Sequence, residues 1–364
     1  MHEYSKEHMK NIALFLLIFI FSSVVLSKPK QPWIVDTDMA FPSLGLPYML
    51  LNHNIKVIAI SIEGTGEIHC NYGIANAIAL LRLTHFNAPV IVICGPKKPL
   101  YGHRHFPQAW RNYSDHALKA KPDTSFCEQE TSQVAFILHN ILQHSPTKIS
   151  ILTLGPLTNI AMLLQQYPDS KNLIKKIVIM GGAIKVPGNI IVPGYTDNLT
   201  NHKAEWNLYI DPVADNIVLN SGIPIFLVTL DITNKVPVNT NLVAKISSST
   251  KTPILKTTIK MWQQTLAQHQ PIKLWDSLAA VLSTNSTIGL YKKKGLAVSI
   301  QYKPCNNTTM KATKAAMRAI KKCINQAETG NLIPSVHNSN VFVYESFNIR
   351  KFKKLLFSTL NTYF

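Results

Sequence analysis

The sequence predicts an α/β fold, with a mostly parallel central sheet flanked by helices and an open Rossmann-like core. Two observations carry this. Short apolar runs rich in β-branched residues alternate with segments of helical spacing from Ile34 to Leu230. The runs are continuous rather than alternately polar, as in parallel strands covered on both faces. Polar residues then gather just past the runs, where open parallel sheets hold their ligands: Asp36 and Asp38, Glu63, Thr153-Leu154-Gly155, Gly181-Gly182 and Asp231.

The elements follow in order. Ile34-Val35 is a strand, and Leu50 belongs to the helix after it. Strands are expected over residues 57–62, 90–94, 149–154, 177–180 and 225–230, and helices over 73–83, 132–142, 157–166 and 212–219. Residues 32–364 read as one domain, whose part from 287 to 364 is more basic and less regular, a C-terminal addition or cover.

Composition narrows the class. Hydrophobic residues make up 46% and charged residues 15% of the 364, enough for a large core and against global disorder. A net charge of +18 fits either an anionic partner or a lysine-rich solvated surface. The basic runs, such as Lys292-Lys293-Lys294 and Lys353-Lys354, are short, scattered and not interleaved with aromatics. No nucleic-acid groove is therefore expected.

At the N-terminus, Lys6 and Lys10 precede an apolar run from Ile12 to Phe21, with small residues near Ser27. Residues 1–27 read as a signal peptide, which predicts export and no stable membrane span after cleavage. The alternative is a retained N-terminal anchor, since Val24 to Leu26 extend the run. The spacing of Cys70, Cys94, Cys127, Cys305 and Cys323 matches no zinc pattern. Cys305 and Cys323 are the best candidate disulfide, and Cys94, within an apolar run, reads as a buried thiol.

Asp36 and Asp38 are two apart, so on a strand they share a face. Like charges so placed repel unless a cation or a proton lies between them, which points to a metal or acid/base site. Gly155-Pro156-Leu157-Thr158-Asn159 turns a strand into a helix that Thr158 or Asn159 would cap. Met180-Gly181-Gly182-Ala183 lets backbone approach a ligand. Glu205-Trp206-Asn207 combines sugar-binding chemistries, and Asp276, after Trp275, is placed as a helix cap.

Taken singly, these pieces are ordinary turns and caps. In this order, the chain resembles the inosine-uridine-preferring nucleoside hydrolase family, from about Trp33 to Val236 and again around Trp275 to Ala280. Phe106-Pro107 with Trp110-Arg111 and Asp115 looks like a variant subgroup carrying this segment near the site entrance. The resemblance implies hydrolysis of the N-glycosidic bond of a ribonucleoside and one calcium ion at the pocket floor. It makes Asp38 both calcium ligand and catalytic base, with Asp276 and the backbone carbonyl of Leu154 as further ligands. It assigns Asn189, Glu205 and Asn207 to the ribose hydroxyls, with Met180 close by, and Asp36 to a supporting hydrogen bond. Asn198 or Asn201 stands as the alternative to Asn189. A homo-oligomer stays open.

Two departures matter. The family carries an adjacent aspartate pair where this chain has Pro42 and Ser43. Ser43 offers one neutral oxygen for a carboxylate, so calcium is expected to bind more weakly or not at all, and turnover to fall with it. Trp275 stands where a histidine acid is common; indole stacks on a base but does not protonate it. His103 and His105 are the alternative acids, or exposed loop residues.

Overall fold

The computed structural model describes residues 29–122, 133–269, 271–304, 322–324, 329–336 and 340–362. The expected signal peptide, Ser132, Cys127 and Cys305 lie outside the described residues, so the Cys305–Cys323 pairing does too.

In chain order the elements are β1 (Gln31–Thr37), α1 (Gly45–Leu51), β2 (Ile55–Ile62), α2 (Cys70–Leu83), β3 (Ile91–Cys94), α3 (Gln108–His116) and α4 (Val134–Gln143). There follow β4 (Ile149–Leu154), α5 (Thr158–Gln166), β5 (Ile174–Met180), α6 (Trp206–Ile210), α7 (Pro212–Leu219), β6 (Ile225–Val228) and α8 (Leu230–Thr233). The chain continues through β7 (Pro237–Val238), α9 (Thr240–Ser247), α10 (Pro253–Ala267), β8 (Ile272–Lys273) and α11 (Trp275–Thr284). It ends with β9 (Gly289–Lys293), β10 (Leu296–Val298), β11 (Tyr302–Pro304), β12 (Lys322–Ile324), β13 (Leu332–Pro334), β14 (Val341–Phe347) and α12 (Ile349–Leu360).

Eight strands form the central sheet in the order β3-β2-β1-β4-β5-β6-β14-β9. All neighbours are parallel except β14 and β9. Strand alternation sends Val35, Leu152 and Val178 to one face, where they pack with Met49 of α1, Leu278 of α11 and Phe352 of α12. Ile34, Ile151 and Ile177 go to the other, against Leu138 of α4, Ile160 of α5 and Val218 of α7. Both faces are covered, which is why the strands read as continuous apolar runs.

The basic C-terminal part is more than a cover. Its β14 pairs with β6 on one side and β9 on the other, so it supplies two strands of the main sheet. On β9, Leu290, Tyr291, Lys292 and Lys293 are exposed, and lysines on an edge discourage further pairing. That exposure erased the apolar signal on which strand recognition depends. The strand expected over 225–230 ends at Val228, and Leu230 opens α8.

Cys94 is not a free thiol. It is bonded to Cys70, with Cα atoms 5.6 Å apart. The bridge ties the last residue of β3 to the first of α2, neighbours in space that sequence spacing does not reveal. Replacing both cysteines with serine should cost roughly 3 kcal/mol by the loop-entropy argument, read as a lower denaturation midpoint. An unchanged midpoint would show that the bridge contributes nothing. Among the described residues no helix is long and apolar enough to cross a membrane.

Candidate functional site

The site is built at the carboxyl ends of β1, β2, β4 and β5. Asp36, on β1, is fully buried. Its Oδ1 accepts hydrogen bonds from the Ser61 hydroxyl and from Asn159 Nδ2, the latter at 2.9 Å. Burial pushes its carboxyl up to about 6. Glu63, past β2, accepts from Asn159 N at 2.7 Å and from Thr65 Oγ1 at 3.0 Å. Thr158 and Asn159 therefore do not cap α5 with their side chains. Thr158 turns to Asp211 at 2.9 Å and Asn159 to Asp36, while Glu63 caps the helix from across the loop. A cross-chain acceptor displaced the local one.

Asp38 lies one residue beyond β1 and is 2% exposed. Its Oδ1 accepts from Ala40 N and its Oδ2 from Glu67 N, both at 3.3 Å. A Cβ at Gly155 would stand 2.9 Å from Asp38 N and Cβ, so glycine there lets the β4 loop close over the carboxylate. Leu154, the last residue of β4, is in register with Thr37. Burial, with repulsion from Glu205, pushes the Asp38 carboxyl up to about 7.

A wall rises from β5 and α6. Glu205 precedes α6, and its Oε2 accepts from Gly182 N at 2.9 Å, Asn207 N at 3.1 Å and Leu208 N at 3.4 Å. Burial outweighs these bonds and raises its carboxyl to about 7. Asn207 Nδ2 donates to the Met180 carbonyl at 3.0 Å and lies 3.5 Å from Met180 Sδ. Asn189 joins the same group, since its Oδ1 accepts from Trp206 N at 3.0 Å. Asn201 is engaged in its own loop, donating to Thr329 O and accepting from Lys203 and Ala204, and Asn198 is exposed. Phe106 stacks on Trp206 at 4.9 Å, and Trp110 meets the same indole edge-on at 5.5 Å. The segment expected near the entrance thus reaches the Glu205 wall.

The floor closes with α11. Asp276 is buried in its first turn without capping it. Ser43 Oγ accepts from Gly45 N at 3.1 Å, and its hydroxyl partly offsets the rise of the Asp276 carboxyl. The Pro42 carbonyl accepts from Trp262 Nε1 at 3.0 Å. Trp275 is half-buried, and its Nε1 has no hydrogen-bond partner among the described residues. His103 and His105 are exposed, and His105 Nδ1 meets the Phe106 carbonyl at 2.9 Å.

Electrostatics unite these groups. Burial, then Asp38 and Glu205, drive the Asp276 carboxyl well above its ordinary range. Glu67 is driven the same way by burial, Asp38 and Asp276, with Arg111 partly compensating. Asp38 and Asp276 carry like charge in one buried region, which favours a proton or a cation between them. The donors are all oxygen, the chemistry of a hard divalent ion. Among the described residues, however, no three His, Cys, Asp or Glu side chains are gathered into a ready metal cage. The donor chemistry fits such an ion; the number of carboxylates drawn together is small.

Sequence reasoning passed over Glu67. It sits in Gly64-Thr65-Gly66-Glu67, immediately past β2, where polar residues at strand ends mark the site elsewhere in this chain. The same rule applied here would have found it.

Comparison with known proteins agrees with this geometry. The sequence profile described as inosine-uridine preferring nucleoside hydrolase matches residues 33–354. The pyrimidine-specific ribonucleoside hydrolase RihA of Salmonella arizonae is 31% identical over 271 residues, 74% of this chain and 82% of RihA. An uncharacterized protein of Schizosaccharomyces pombe is 32% identical over 216 residues, 59% of this chain and 66% of its own length. The structure of the inosine-uridine preferring nucleoside hydrolase from Bacillus anthracis superposes with a TM-score of 0.68 at 19% identity, covering 92% of this chain and 99% of that one. The matched region runs from the strand bearing Asp36 to beyond the helix bearing Asp276, and the chain belongs to the inosine-uridine preferring nucleoside hydrolase family.

Proposed function

We propose that the chain hydrolyses the N-glycosidic bond of ribonucleosides, releasing ribose and free base. Family membership and the ribonucleoside hydrolase relative support an N-glycosyl hydrolase. The observation that carries the reading is the convergence of Asp38, Asp276 and Glu205 in one buried field. Asp38 takes the proton of the attacking water, its carboxylate held in place by the Ala40 and Glu67 backbone N–H groups. Glu205 and Asn207, tied to each other and to Met180, grip the ribose hydroxyls together with Asn189. This hold favours the flattened, positively charged sugar of the transition state. Trp275 stacks on the departing base.

The resident cation of this reading is calcium, held by Asp38, Asp276 and the carbonyl of Leu154. When bound, it supplies Lewis-acid activation of water. Its hold is weakened, because Pro42 contributes no side-chain oxygen and Ser43 only one neutral oxygen, which accepts from Gly45 N. The N-terminal segment directs export, with a retained anchor as the alternative, and the Cys70–Cys94 bridge suits an oxidising compartment.

A second reading rests on Pro42 and Ser43 alone: a homologue that binds nucleoside or ribose without turning it over. Ribose release from inosine and uridine, with calcium and with chelator, separates the two. Calcium-dependent release is the expected result. Saturable nucleoside binding with no release under either condition would establish the second reading.

A further inference from the structure

Helix α3 carries three residues that the mechanism above leaves unused. Arg111, Ser114 and Asp115 stand three and four apart, so they share one face of the helix. That face meets the loop of residues 64–69, after β2. Arg111 Nη2 donates to the carbonyls of Gly64 at 3.1 Å and Ile68 at 2.9 Å. Ser114 Oγ donates to Glu67 Oε1 at 3.0 Å. Asp115 accepts the His69 backbone N–H at 2.9 Å and meets its ring nitrogen at 2.7 Å. Asn76 of α2 donates to the Ser114 carbonyl at 2.9 Å and so seats the helix. Trp110, the neighbour of Arg111, meets the Trp206 indole instead.

The loop so held touches Asp38. Glu67 N donates to Asp38 Oδ2 at 3.3 Å. A Cβ at Gly66 would stand 2.1 Å from Asp38 Cβ, and one at Gly64 would stand 2.6 Å from the Gly95 carbonyl oxygen, so the close approach requires glycine at both. Glycine brings backbone freedom with it. Residues 64–69 also belong to neither helix nor strand, so no regular ladder restrains them. The bonds from α3 to Gly64, Glu67, Ile68 and His69 remove that freedom.

We propose that Arg111 is a positioning residue for Asp38. It pins the 64–69 loop near both ends, and the Glu67 N–H of that loop holds the Asp38 carboxylate in the orientation a base needs. Ser114 and Asp115 reinforce the pin. The proposal rests on the hydrolase reading only for the role of Asp38.

Arg111→Met keeps the apolar stem and removes the donors. In the full chain, amide hydrogen exchange at Glu67 and His69 should quicken at least about tenfold, while exchange in β4 and β5 keeps its native rate. In ribose release, kcat should fall roughly 10- to 100-fold with KM held within about threefold, because the ribose grip lies on the wall of β5 and α6. Arg111→Lys, which keeps a donor for a loop carbonyl, should recover most of the lost rate. A general loss of folding would give neither this split nor this recovery. Native exchange at Glu67 in Arg111→Met overturns the proposal, as does a native kcat with quickened exchange, or a rise in KM alone. Should Arg111→Met not fold, Ser114→Ala, which loses only the tether on Glu67, carries the same test. Quicker exchange at Glu67 and a lower kcat are then expected, and a native value of either overturns the proposal. If the native chain releases no ribose, the hydrolase reading fails, and exchange at Glu67 alone decides whether Arg111 pins the loop on Asp38.

Discussion

Asp38→Asn is expected to lower kcat for ribose release by roughly 10²–10⁴-fold, the range a general base contributes. The same substitution should stabilise the metal-free fold at alkaline pH. Burial pushes the Asp38 carboxyl up to about 7 in the folded chain, against about 3.9 when unfolded. The folded state thus holds its proton to higher pH than the unfolded state and loses stability as pH rises between those values. The loss is up to ~1.4 kcal/mol per pH unit for this group. Asp36, raised to about 6, and Glu205, raised to about 7, act with the same sign. In chelator, the variant should melt above the native chain at pH 8, and the gap should close toward pH 4. Retention of half the native rate would remove Asp38 from the chemistry; a gap that widens at low pH would contradict the assigned direction.

The Pro42→Asp, Ser43→Asp double variant is expected to gain calcium affinity by about two orders of magnitude, taking roughly 3 kcal/mol for a buried carboxylate–cation contact. The bond from Trp262 Nε1 goes to the carbonyl of residue 42, a backbone acceptor. An aspartate at 43 can still accept from Gly45 N, but it brings like charge toward Asp276, where the serine hydroxyl is neutral. The variant should therefore melt below the native chain in chelator and above it in calcium, with faster ribose release. A melting temperature that ignores calcium would show that positions 42 and 43 do not face the cation.

Buried parallel strands were legible because they are apolar throughout, and the residues at their ends could be listed before any coordinates. What escaped had its cause in tertiary context. On β14, Val341 and Val343 are buried but Glu345 and Ser346 follow in the same strand, and the basic surroundings hid it. The Cys70–Cys94 bridge depends on β3 ending beside the start of α2. Thr158 and Asn159 look like caps in isolation, yet Asp211 and Asp36 are better partners once the sheet is assembled. Glu67 lies on a loop without periodicity, so only its position past a strand distinguishes it from a surface acid.

The late strand sets when the molecule can exist. β14 enters between β6 and β9, pairing Val341 with Ile225 across more than a hundred residues of intervening chain. Until that segment has been synthesised, β6 and β9 have no partner at this seam, and their hydrogen-bonding groups stand open. Closing so long a loop is slow, and the open edges are exposed to aggregation in the interval. The ribosome must therefore nearly finish the chain before the sheet can be completed. Until then the seam between β6 and β9 stays unformed, and the chain stays loose for as long as its last strand is missing.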